Sequence, residues 1–145
     1  MSKVEDFLTA VQEQEIIDAI RLAEKNTSGE IRVHLEKSTK KEALERAKEV
    51  FYFLKMDTTQ HHNGVLFYVA VDDKKFSIVG DKGIDNLVPD NFWDGIKDNV
   101  ISEFKKGNYT EGLKQGILES GIKLKQYFPY QSNDKNELPD SISLS

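Results

Sequence analysis

Val65-Leu66-Phe67-Tyr68-Val69-Ala70-Val71 is the stretch whose reading decides the fold. It runs without a polar interruption except the tyrosine hydroxyl. Such a run fits a central strand covered on both faces. Asn63-Gly64 punctuates the chain just before it, and Asp72-Asp73-Lys74-Lys75 turns the chain just after it. Phe76-Ser77-Ile78-Val79 then reads as a strand returning antiparallel to the first.

Upstream, Thr39 and Glu42 have the spacing of a capping box, and Ala43, Ala47, Val50, Phe51 and Leu54 share one helical face behind it. Before that helix, Ile31, Val33 and Leu35 alternate with Arg32, His34 and Glu36. The alternation predicts a strand with one buried face and one wetter or polar-covered face. Thr9 and Gln12 form another capping box, opening a helix with Ile16, Ile17, Ile20 and Ala23 at helical spacing.

Downstream, Gly80-Asp81-Lys82-Gly83 leads into an irregular stretch ending near Pro89. Asp90 is placed to cap a helix on which Trp93, Ile96, Val100 and Phe104 share a face. After Gly107-Asn108, a last helix from about Thr110 carries Leu113, Ile117, Leu124 and Phe128. Gly112, Gly116 and Gly121 weaken that helix, so they are expected to serve close packing against another element.

The order α-β-α-β-β-α-α gives an α/β fold, a three-layer α/β/α sandwich around a small mixed sheet, with one right-handed parallel crossover. Residues 1–128 form a single domain. Residues 129–145 are rich in Ser, Asn, Asp, Lys and Glu and are expected to be a flexible polar tail.

The chain's 145 residues suffice for one core. Its net charge of −5 disfavours nucleic acid and anionic membrane as partners. The absence of cysteine removes disulfides, thiolate metal sites and cysteine nucleophiles. The first eight residues contain Glu5 and Asp6 and no apolar run, so they do not read as a signal peptide. Val65–Val71 is too short to span a bilayer. A soluble, cytoplasmic monomer is the expectation.

The topology sorts polar residues to two ends of the sheet. One end gathers Glu36, Lys37, Ser38, Asp72 and Asp73, with Asp6, Phe7 and the Gly107-Asn108-Tyr109 turn nearby. The other gathers Ser28, Gly29, Glu30, His61, His62, Asn63, Gly80, Asp81, Gly83 and Asp85. In Asp81-Lys82-Gly83-Ile84-Asp85 two carboxylates flank a glycine that would let the backbone turn sharply, with Glu30 across the sheet. Hard cations such as Ca²⁺ take carboxylate and carbonyl oxygens of this kind. The spacing is not that of an EF-hand, and the alternative reading is a solvated turn. Asp72-Asp73 is the alternative metal site, because open α/β sheets place ligands beyond strand carboxyl ends. It lacks the Asp-x-Asp pattern of aspartyl phosphotransferases and also reads as a hairpin turn. His61-His62 has no accompanying His-x-x-x-His spacing and reads as solvated loop. His34 reads as a packed or surface histidine, and the aromatic residues around Trp93 and Phe51 as core. No Gly-x-Ser-x-Gly, Walker or Rossmann pattern occurs.

Four strings, taken in order, resemble the TPM-domain family: Thr27-Ser28-Gly29-Glu30-Ile31, Asn63-Gly64-Val65-Leu66, Phe76 to Ile84, and Phe104-Lys105-Lys106-Gly107-Asn108-Tyr109 with Gly112-Leu113. Phe128-Pro129 and Asn136-Glu137-Leu138-Pro139 look like a bacterial, cytoplasmic-type branch of it. The family includes a thylakoid-lumen phosphatase-like protein and an acetylcholine-receptor accessory protein. The resemblance implies an α/β/α sandwich, a divalent-metal site with calcium the usual ion and magnesium the second choice, and acid-phosphatase activity. Asp81, Asp85 and Glu30 are the first-choice ligands, Asp72 and Asp73 the alternative. A non-catalytic module that engages a protein partner is the competing expectation.

Overall fold

The computed structural model describes residues 7–130 and 138–145. Helix α1 (Ala10–Ala23) opens on the capping box read from the sequence. The Gln12 N–H donates to the Thr9 hydroxyl at 3.1 Å, and the Gln12 side chain accepts from the Thr9 N–H at 2.9 Å. Strand β1 (Glu30–Glu36), helix α2 (Ala43–Phe53), a 3-10 turn at Met56–Thr58, β2 (Gly64–Ala70) and β3 (Lys75–Gly80) follow. The chain continues through a single short turn of helix, α3 (Lys82–Asp85), then α4 (Asp94–Lys105), α5 (Tyr109–Leu124) and β4 (Ser143–Leu144).

The sheet order is β3-β2-β1-β4. Strands β1 and β2 run parallel from Glu30↔Gly64 to Glu36↔Ala70, and β3 returns antiparallel to β2. All seven residues of β2 are buried, as the apolar run demands of a strand covered on both faces. Helices α1, α4 and α5 close over Ile31, Val33, Val65, Phe67, Val69 and Ile78. On the opposite face α2 sets Ala47, Val50 and Phe51 on Leu66, Tyr68, Ala70 and Val79. The result is the expected α/β/α sandwich.

The helical glycines pack closely, as read. A Cβ on Gly116 would lie 2.6 Å from Val100 Cγ2, and one on Gly121 would lie 2.9 Å from the Ala23 backbone. Leaving out those methyl groups lets α5 approach both α4 and α1.

Four local expectations are corrected. Thr39 does not cap α2: its hydroxyl accepts from the Lys41 N–H at 3.1 Å, and the helix begins later, with Glu42 at its cap and no side-chain bond there. Asp90 does not cap α4, which starts after Trp93. The stretch after Asp81 is helical, and Asp81 caps it, its carboxylate accepting from the Lys82 N–H at 2.7 Å. The polar tail is structured over 138–145: Leu138 is buried in the α2-side core, and Ser143↔His34 and Leu144↔Leu35 pair parallel to β1. Its apolar residues are few, yet β1 offers them an open edge and a buried polar face. Residues 131–137 of that tail, and Asp6, lie outside the described residues.

Candidate functional site

The end of the sheet where β1 and β2 begin and β3 stops is built by a tightly bonded loop. Asn63 is buried, its side-chain amide donates to the Ser28 carbonyl at 3.1 Å, and its own carbonyl accepts from the Glu30 N–H at 3.1 Å. His62 sits in the left-handed region at φ 49°, and its N–H donates to the Thr59 carbonyl at 3.2 Å. Helix α3 lies directly on this loop. A Cβ on Gly83 would come 2.5 Å from the His61 carbonyl oxygen and 2.4 Å from that of His62. Gly83 therefore provides close approach, rather than the sharp turn expected of it.

This contact brings Asp81 and His62 together. Asp81 is 4 % exposed, and its Oδ2 lies 3.6 Å from His62 Nδ1. That separation suits an ion pair with a protonated imidazole but is too long for a hydrogen bond. Both atoms are buried, and neither has a hydrogen-bond partner among the described residues. Buried polar atoms are nearly always satisfied, so two orphans facing each other call for an explanation.

Asp81 and Asp85 also line one open cleft of about 440 Å³ between α2, β3, α3 and the start of α4. Lys48, Lys82, Lys97 and Trp93 share its walls. Partial burial raises the Asp85 carboxyl above its ordinary value, Lys48 opposes that, and Asp81 adds to it. The Trp93 indole rests on Gly80, and its Nε1 is a further buried donor without a partner among the described residues.

Glu30 is at the same end of the sheet but does not line this cavity. Its carboxylate accepts from the Leu138 N–H at 2.8 Å. Asp72 and Asp73 are at the opposite end and exposed. Asp73 accepts from the Thr39 N–H at 2.8 Å, and the Asp72 N–H donates to the Lys37 carbonyl, which ties the hairpin to the exit of β1. Among the described residues no group of three or more His, Asp or Glu side chains is gathered into a ready-made metal cage. The sequence reading placed His62 at the correct end and took it for solvated loop. Its pairing with Asp81 depends on the crossing of α3 over the loop, for which the spacing of residues offers no signal.

A second polar cluster lies toward the exit of β1, between the sheet and α2. Glu36 accepts from Arg46 Nη2 at 2.7 Å and Nε at 3.0 Å, and from the Tyr68 and Ser145 hydroxyls. Burial alone would raise Glu36, but these donors outweigh it and hold its carboxyl at about 2. His34 is buried, stacked on Tyr68 with ring centroids 6.2 Å apart, and hydrogen-bonded to Ser143 and Ser145 at 2.9 and 2.7 Å. Burial pulls its imidazole down to about 4.

Three layers around a mixed sheet, with a polar cavity at one strand end, define the class: a small α/β/α sandwich domain. The chain belongs to the TPM-domain family, whose domain model matches residues 1–121. It is similar over its full length, and over the full length of the other chain, to the BA42 protein from the psychrophilic bacterium Bizionia argentinensis. That NMR structure is 54% identical with a TM-score of 0.92. The N-terminal domain of a P. gingivalis protein has the same fold, with TM-score 0.70 and 21% identity over 88% of this chain and 83% of that one. So does the N-terminal domain of the cg2496 protein from Corynebacterium glutamicum, with TM-score 0.60 and 10% identity over 93% and 79%. No curated protein matches the chain. Among the described residues no helix is long and apolar enough to cross a membrane.

Proposed function

We propose that the chain binds a divalent cation where His62 meets Asp81, with Asp85 beside it. The observation that carries this reading is the pair of buried, unpartnered atoms, Asp81 Oδ2 and His62 Nδ1, held 3.6 Å apart. Two ligands of one cation, each at roughly 2.0–2.5 Å from it, stand about that far from one another. A carboxylate oxygen and a neutral imidazole nitrogen are both competent donors. These two donor types support the reading, although no third His, Asp or Glu among the described residues is gathered with them. Carboxylates alone suit Ca²⁺ or Mg²⁺, and the imidazole extends the range to Mn²⁺ and Zn²⁺. Glu30, held by Leu138, is left out of this ligand set.

The lysines around the same cavity give the site a second property. Lys48, Lys82 and Lys97 line the cavity that Asp81 and Asp85 share, and cationic side chains of this kind favour an anionic ligand there. A bound cation supplies Lewis acidity toward a phosphoryl oxygen, so phosphomonoester hydrolysis is the activity to assay.

Titration of isotope-labelled protein with Ca²⁺, Mg²⁺, Mn²⁺ and Zn²⁺ tests the reading by NMR. Saturable amide shifts are expected at His62 and Asp81–Asp85, and Asp81→Asn should remove them. A shift of the His62 ring nitrogen separates a nitrogen-ligated ion from one held by oxygens alone. Shifts confined to Asp72 and Asp73, or none at millimolar cation, would overturn the assignment.

A further inference from the structure

The two edges of the sheet are finished differently. The chain lays its own residues 143–144 along β1, whereas β3, at the other edge, pairs with β2 alone among the described residues. The register shows which β3 groups that pairing uses. The Asp81 N–H donates to the carbonyl of Gly64, directly opposite it, so Lys75, Ser77 and Val79, in step with Asp81, are the residues bonded to β2. Phe76, Ile78 and Gly80 therefore turn their N–H and C=O groups away from the sheet. None of these groups has a hydrogen-bond partner among the described residues.

The same edge borders the open cleft. Its lining takes Ser77 to Gly80 from β3, Leu44 and Tyr52 from α2, and Trp93 at the start of α4. Helices α2 and α4 cover opposite faces of the sheet, so a cleft lined by both lies beyond the edge strand. The edge is recessed between these walls: Ser77, Ile78 and Val79 are 2, 6 and 8 % exposed with no strand outside them among the described residues. On one wall Leu44 and Tyr52 are exposed apolar side chains. On the other the Trp93 indole rests on Gly80, its buried Nε1–H without a partner among the described residues.

We propose that β3 receives an extended segment of a partner protein as a fifth strand, hydrogen-bonded to the backbone of Phe76, Ile78 and Gly80. The recess selects this occupant. A second copy would bring its own helices against α2 and α4, whereas a lone extended segment needs only the spacing of one strand, about 4.8 Å. The backbone groups supply affinity, and the walls select side chains. Successive side chains of a strand point to opposite faces, so alternate residues of the segment meet Leu44 and Tyr52 on one side and Trp93 on the other. Apolar residues suit the first wall. Asp90, Asp94 and Lys97 stand beside Trp93, a net negative charge that favours basic residues on the second. None of these bonds involves His62 or a carboxylate, so strand addition stands apart from the cation site.

NMR titration of the isotope-labelled full chain tests the proposal, with chelator present to keep it separate from cation binding. The probes are two hexapeptides, acetylated and amidated, in which valine alternates with lysine or with glutamate. Saturable binding is expected, tighter for the lysine peptide. The Phe76, Ile78 and Gly80 amides should move downfield and gain protection from exchange, while those of Lys75, Ser77 and Val79, already bonded to β2, change little. A fully N-methylated copy, which has no N–H to give, should not bind. Leu44→Ser and Tyr52→Ala, both at exposed positions, should each weaken binding about fivefold. No saturable shift with either peptide at millimolar concentration, shifts that do not alternate along β3, binding that survives N-methylation, or undiminished binding by both variants would overturn the proposal. Shifts of the same three amides with protein concentration alone would assign the edge to a second copy and overturn it as well.

Discussion

The Glu36 cluster and the Asp81–His62 junction stand at opposite ends of one sheet, each pairing an acid with a histidine, though the His62 side chain is 42 % exposed while His34 is buried. At the Glu36 end, the carboxylate accepts from Arg46, Tyr68 and Ser145, and both His34 ring nitrogens have hydroxyl partners. At the Asp81 end, one carboxylate oxygen and one imidazole nitrogen are buried without partners among the described residues. A satisfied buried network contributes rigidity and specificity, while an unsatisfied pair costs roughly 1–3 kcal/mol per group until something binds it. The difference separates a carboxylate and imidazole whose polar atoms are satisfied within the fold from a pair left without hydrogen-bond partners among the described residues.

Substitutions should split along that line. Glu36→Ala removes one acceptor from three donors and leaves Arg46 only its pairing with Glu49, so a loss of about 2 kcal/mol is expected in urea unfolding. A loss under about 1 kcal/mol would mean that solvent screens the cluster after all. The acid limb of stability sharpens the same contrast. His34 must fold neutral, so stability should fall as pH drops from about 6.5 to about 4. The limiting slope is about 1.4 kcal/mol per pH unit. A His34→Asn variant should lack that component of the slope.

Gly83→Ala tests how the junction is built. Its new Cβ meets two backbone carbonyls that cannot swing aside cheaply, so a loss of about 2 kcal/mol is expected, with perturbed His62 and Asp81 resonances. The smallest expected stability change is at Asp81→Asn. Asparagine keeps an oxygen to accept from the Lys82 N–H and removes an uncompensated buried charge. Stability without cation should stay within about 0.5 kcal/mol of native or rise slightly, while the cation response disappears. A loss of about 2 kcal/mol or more would place Asp81 with Glu36, among the groups that hold the fold.

Local and periodic signals account for what was legible. The Val65–Val71 run specified a strand buried on both faces, and β2 is buried throughout. Thr9 and Gln12 specified a cap that involves neighbours in the same turn, and they form it. Thr39 and Glu42 have similar spacing and form no box. The Thr39 backbone N–H donates to Asp73 on the next hairpin and its hydroxyl turns to Lys41, so a tertiary contact overrode the local motif.

From the sequence alone come the element order, the sandwich, the close packing at the α5 glycines and the sorting of Asp81, Asp85 and His62 to one end of the sheet. These depend on hydrophobic period and on the direction of successive strands, both properties of neighbouring residues. The tertiary structure decided the strand at 143–144, the turning of Glu30 toward Leu138 and the meeting of His62 with Asp81. Each joins groups distant along the chain, through an open strand edge, a buried carboxylate or a loop under a helix. The free energy of such a contact resides in the partner, and no local pattern encodes which partner arrives.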